Sequence, residues 1–213
     1  MMKFVSSPHW NHRNISQLVL LKKGIPYRVI PTQNDKLPAG VTQLPALVHK
    51  GETIIDSLAI AEFIEKAYPH TSLTRQGAYS YQEVLEKTSA FFPALSAFIK
   101  NKDDSKDPAL HAAVEAQLDN LDEIIRSTPG QYVCGIELTL ADLYLVPQLF
   151  HAMIAMEHFK DVMYYHMEGE PTRPALENYV ARMFDMEEFN NKKAYYNIDQ
   201  VINGWKVARG DKI

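Results

Sequence analysis

Three groups of residues have types and spacings that could do chemistry. Asp56-Ser57 stands directly before an amphipathic stretch with Ile60, Phe63, Ile64 and Ala67 on one face. Asp and Ser there offer N-cap side chains, and the free amides of a helix start favour an anion. Ser6 to Arg13 (SSPHWNHR) crowds hydroxyls, an amide, two imidazoles and a guanidinium into one short loop. His9 and His12 have the spacing of one helix face, but no carboxylate or further histidine joins them at ligand spacing, so no metal is expected. Cys134 is the single cysteine, which excludes an intramolecular disulfide framework and fits a reducing compartment.

The elements that must hold these residues can be read in order. Lys3 to Ser6 is strand-like. A helix follows from about Asn11 to Lys23, with Ile15, Leu18 and Val19 on one face and Gly24 as its stop, and Gly24 to Ile30 enters a second strand. Residues 31–44 (PTQNDKLPAGVTQL) are rich in turn formers and lack an apolar period. Pro45 then precedes a strand over Ala46 to Val48, His49 to Glu52 reads as a hairpin turn, and Thr53 to Ile55 returns. Tyr68-Pro69 ends the helix after Ser57.

From about Ala78 the pattern is helical throughout. One helix is expected over Tyr81 to Asn101 with a kink at Pro93, then a charged loop over Lys102 to Asp107 and a helix over Pro108 to Arg126. Thr128-Pro129-Gly130 breaks the pattern, and a loop over Gln131 to Glu137 carries Cys134. Thr139-Leu140-Ala141-Asp142 is an N-cap with an acidic partner three residues on, opening a strongly apolar helix to about Phe159. The Met and aromatic residues from Tyr144 to Met156 read as core, and Tyr164 to Met167 as an exposed loop.

A chain of 213 residues with net charge −4 and 46% hydrophobic residues has enough material for one or two folded domains and a sizeable core. Without a basic block, the charge balance speaks against a nucleic-acid partner. The first residues lack a signal-peptide core and no apolar run reaches bilayer-spanning length, so a soluble cytoplasmic protein is expected, or an organellar one if a targeting segment was removed.

Strand, turn, strand and capped helix over Gln43 to Ala67, with Leu44-Pro45 before it and the Thr139/Asp142 helix later, resembles the glutathione transferase superfamily. That likeness implies an α/β plus all-α fold. An N-terminal thioredoxin-like domain (βαβ–ββα) would span 1–70, a linker 71–77 and an all-helical transferase domain 78–213. Residues 31–44 are too few for the short second helix with which the family helps hold the glycine end of glutathione. The segments FFPALSAFIKNKD, QYVCGIELTLADLYLVPQLFHAMIAMEHFKD, MFDMEEFNNKKA and IDQVINGW resemble the plant-type dehydroascorbate reductases, and more weakly the chloride intracellular channel proteins.

The resemblance implies glutathione as co-substrate or ligand, and no metal. A cis Leu44-Pro45 bond would turn the main chain of Leu44 toward an extended peptide, and Asp56-Ser57 would receive the γ-glutamyl carboxylate. These relatives place a reactive cysteine at the first helix start; the loop Ser7 to Arg13 has none, and Cys134 reads as an inert, partly buried side chain. Cysteine-based dehydroascorbate reduction is therefore not expected. Ser7, Asn11, Ser6 or His12 would then orient the thiol of glutathione, Ser7 first and Asn11 next. For Ser7 the alternative is an ordinary turn serine. Arg13 could face the thiolate or the glycyl carboxylate, or lie on a solvated helix face, and Trp10 could line a second-substrate pocket or pack between domains. The expected partner is a small-molecule electrophile or, if the fold is kept for interaction, a protein. Membrane insertion as in the channel proteins is disfavoured by Asn14, Ser16, Gln17 and Lys22-Lys23. Monomer and homodimer both remain open.

Overall fold

A computed structural model describes residues 2–6, 15–32, 36–163, 172–190 and 198–212. Four strands, β1 (Met2–Ser6), β2 (Tyr27–Pro31), β3 (Ala46–His49) and β4 (Glu52–Ile55), form one sheet in the order β2-β1-β3-β4. β2 runs parallel to β1, while β3 is antiparallel to both β1 and β4. Helix α1 (Ile15–Lys22) makes the crossover between the parallel strands, as such a connection requires. Helix α2 (Ser57–Ala67) follows β4. This is the thioredoxin-like half.

Strand alternation divides the apolar residues between two faces. Phe4 and Leu47 join Leu18, Ile60 and Ile64 in the core beneath the two helices, whereas Val5 and Ala46 meet Val41, Leu37 and Leu44 on the other face. Lys50 and Gly51, both at positive φ, close the two-residue hairpin between His49 and Glu52. Gly51, without Cβ, takes that geometry at little steric cost. Among the described residues between β2 and β3 there is no helix.

The remaining described elements are helical: α3 (Tyr81–Lys87), α4 (Phe91–Lys100), α5 (Asp107–Ser127), α6 (Leu140–Lys160), α7 (Pro174–Asp185), α8 (Glu187–Asn190) and α9 (Ile198–Arg209). α6 lies at the centre, with α1, α3, α4, α7 and α9 against it. Its start is fixed by Asp142, which is fully buried and accepts from the amides of Val133 (2.9 Å) and Thr139 (2.8 Å) and from the hydroxyls of Thr139 (2.9 Å) and Tyr179 (3.0 Å). Burial pushes this carboxyl up from its usual range, and those four donors oppose the shift.

One expectation needs correction. Tyr81 to Asn101 is two helices, separated by Thr88, Ser89 and Ala90. The ring of Pro93 would meet the carbonyl of Ser89 if the helix ran on, so α3 stops one turn earlier. There the Thr88 hydroxyl donates to Val84 O (2.8 Å) and the Ser89 hydroxyl to Glu86 O (2.8 Å). Pro93 then falls in the first turn of α4, where a missing amide loses nothing. The charged loop after α4 also contains a 3-10 turn over Asp104–Lys106.

Candidate functional site

Strand register brings the candidate residues to one edge. Ala46 pairs with Val5 on one side and with Ile55 on the other. The next positions out from that row are therefore Pro45, Ser6 and Asp56, on three neighbouring strands. Ser6 is buried, and its carbonyl accepts the Thr32 amide at 2.8 Å. The Leu44–Pro45 peptide is cis. Leu44 stands outside the ladder, and its amide and carbonyl enter none of the turn and loop hydrogen bonds among the described residues.

Asp56 does two things at this edge. Its Oδ1 accepts the amides of Leu58 (2.9 Å) and Ala59 (3.1 Å), so Asp56 alone is the N-cap and Ser57 is the first helical residue. Its backbone sits at φ 72°, ψ 134°, a conformation that a residue with a Cβ holds only when its surroundings over-determine it. Oδ2 has no partner among the described residues, and neither has the Ser57 amide. The edge therefore offers one carboxylate oxygen beside one helix-start amide and one hydroxyl. That set can receive an ammonium at Asp56 and a carboxylate at Ser57, with a main-chain donor and acceptor at Leu44.

Ser7, Trp10, Asn11 and Arg13, with His9 and His12, lie outside the described residues, as does Tyr164 to Met167. Cys134 is fully rather than partly buried and sits in the loop before α6. Burial, with the nearby carboxylates of Asp142 and Glu83, pushes its thiol up to about 11 although Thr139 Oγ1 lies 3.3 Å from Sγ. Among the described residues no group of three or more His, Cys, Asp or Glu could hold a metal, and no helix is long and apolar enough to cross a membrane.

Sequence reasoning used Ser16 only as a polar interruption of the first helix and gave it no part in the site. Its hydroxyl is fully buried and donates to the main-chain carbonyl of Ser57 at 2.9 Å. The available signal was a polar pair, Ser16-Gln17, inside an otherwise apolar helical run.

The sheet order, the Leu44–Pro45 turn and the capped α2 define a glutathione-transferase architecture, and the comparisons agree. Residues 14–72 match the family model described as glutathione S-transferase, N-terminal domain. The chain is 30% identical over 202 residues to "Glutathione S-transferase DHAR2" of Arabidopsis thaliana, covering 90% of this chain and 87% of that one. It is 28% identical over 167 residues to "Chloride intracellular channel protein 3" of Mus musculus, covering 68% and 69%. The crystal structure of Chlamydomonas reinhardtii dehydroascorbate reductase superposes with a TM-score of 0.76 at 24% identity, over 97% of this chain and 98% of that one. The chain belongs to the glutathione S-transferase superfamily, near the branch of the dehydroascorbate reductases and chloride intracellular channel proteins.

Proposed function

We propose that this chain binds glutathione along the edge formed by Leu44, Pro45, Asp56 and Ser57, and uses it as a transferase-like enzyme on a small electrophile. The observation that carries the reading is the shared row of Val5, Ala46 and Ile55, with an amide and a carboxylate oxygen just beyond it that have no partner among the described residues. The γ-glutamyl head of glutathione carries both an ammonium and a carboxylate, the two charges this pair complements. Its cysteinyl main chain would lie extended against Leu44 as an added strand does. The sheet-bearing half, 1–70, is read as the ligand-binding unit and 78–213 as its helical partner, joined by 71–77.

The chemistry assigned is thiol transfer, lyase or isomerase chemistry. The sulfur of glutathione loses its proton to solvent and forms a bond to the electrophilic carbon; in substitution the leaving group departs with its bonding pair, and in addition to a conjugated double bond the π pair moves to the neighbouring atom, which takes up a proton. Ser7, with Asn11 as second choice, is assigned the hydrogen bond that stabilises the thiolate, Arg13 a supporting positive charge, and Trp10 a wall for the electrophile. Reduction through a protein cysteine is not part of the proposal, because the single cysteine is buried with a thiol raised to about 11.

A second reading is favoured by the lack of a cysteine in the sequence from Ser7 to Arg13 and by the helix-free stretch 36–45: a non-catalytic member whose fold serves as an interaction subunit. Turnover decides between them. The enzymatic reading predicts glutathione-dependent consumption of at least one electrophile class, reduced tenfold or more in Ser7→Ala or Asn11→Ala. No turnover across several classes, with glutathione failing to shift the unfolding midpoint, supports the interaction role.

A further inference from the structure

Ser16 places a fully buried hydroxyl between α1 and α2. It lies in the first turn of α1 with no exposure, among Ile15, Leu18 and Val19 of the core. Its hydroxyl donates to Ser57 O at 2.9 Å. That carbonyl belongs to the first residue of α2, where the helix itself supplies an amide four residues on. Alanine at position 16 would therefore leave no buried carbonyl without a donor. The bond is an extra one, and it joins two helices across 41 positions of chain.

What the bond fixes is the start of α2 relative to α1. Asp56, next to Ser57, is held at φ 72° from both sides. Behind it Ile55 is paired with Ala46 in the sheet, and ahead of it Ser57 is tied to Ser16. We infer that Ser16 is a positioning residue for the carboxylate subsite, holding the Ser57 amide where the ligand's α-carboxylate meets it. The inference rests on the glutathione reading above and extends it to a residue that touches no ligand. Without the tie, the first turn of α2 is held against α1 by packing alone, which fixes the spacing of the Asp56–Ser57 pair from Leu44 less tightly.

The test is a calorimetric titration of glutathione into the full chain and into Ser16→Ala and Ser16→Cys, at a temperature where circular dichroism shows all three folded. Cysteine keeps the volume but donates poorly, so it separates the hydrogen bond from packing and remains informative if the alanine variant does not fold. Both variants should bind about five- to tenfold more weakly than the wild type, the scale of one net hydrogen bond. A purely structural serine would lower the unfolding midpoint and leave the affinity of folded protein unchanged. With the analogue in which 4-aminobutyrate replaces γ-glutamate, and so lacks the α-carboxylate, the variants should bind as the wild type does. Wild-type affinity for glutathione in both variants, or in Ser16→Cys alone, overturns the positioning role while the binding site stands. Failure of the wild type to bind glutathione overturns the site itself and this inference with it.

Discussion

Lys23, just beyond α1, and Glu65, in the last turns of α2, meet at 2.7 Å with the lysine head almost wholly out of water. The same ammonium donates to the carbonyls of Tyr68 (2.8 Å), His70 (3.0 Å) and Thr71 (3.1 Å), and Glu65 Oε1 accepts the Leu73 amide at 2.9 Å. One buried pair thus organises the exit from α2 toward the helical half. Removing one partner strands the other's charge, a loss of about 3–5 kcal/mol. Lys23→Met should lower the unfolding midpoint by roughly 10 °C. The double variant Lys23→Met/Glu65→Met should be less destabilised than the two single losses added together, as a thermal double-mutant cycle would read.

The Asp142 cluster should behave as a unit. Tyr179→Phe removes one of four donors to a buried carboxylate and should cost about 1–3 kcal/mol in denaturant unfolding. Asp142→Ala leaves the amides of Val133 and Thr139 unpaired at the mouth of α6 and should cost more than Tyr179→Phe. Equal effects would mean that the cluster does not anchor the helix.

Cys134 should be chemically silent in the native protein. Its thiol is raised to about 11, so at pH 8 only roughly one in a thousand is thiolate, the reactive form. Alkylation of native protein should be slow at pH 8 and rise about tenfold per pH unit as pH climbs toward 11, since deprotonation is what is being titrated. At pH 8, full reaction should appear only in denaturant. Rapid modification at pH 7 would contradict both the burial and the direction of the shift.

Gly77 should tolerate no side chain. A Cβ there would sit 2.0 Å from the carbonyl oxygen of Cys134, a main-chain atom that cannot swing aside. The Ala78 amide binds that same carbonyl at 2.8 Å, so the contact between this segment and the Cys134 loop would have to open. Gly77→Ala should destabilise by about 1–3 kcal/mol, as other overpacked sites do, measured by thermal or denaturant unfolding.

Much of the fold was legible because its signals are local. Lys50-Gly51 between two short apolar runs, Asp56 before a periodic stretch, and Thr139 three residues before Asp142 each specify geometry within one turn of chain. The break between α3 and α4 was misread because Pro93 acts backward, on the carbonyl of Ser89, rather than where it stands. Ser16 with Ser57, Lys23 with Glu65 and Gly77 against Cys134 were invisible for a different reason. Each joins residues 41 or more positions apart, and nothing in composition or period announces such a meeting. Pro45 and Asp56 lay in between: both residues stood out, but only the pairing of Ala46 with Ile55 puts them side by side.

On the function proposed above, the amide of Ser57, without a partner among the described residues, and the main chain of Leu44 together cradle glutathione. A crystal of the protein grown or soaked with glutathione tests it most directly. The predicted result is a γ-glutamyl carboxylate about 3 Å from the Ser57 amide, hydrogen-bond distance, with the cysteinyl main chain opposite Leu44. Glutathione seated elsewhere, or this edge left without it at a saturating concentration, would contradict the account.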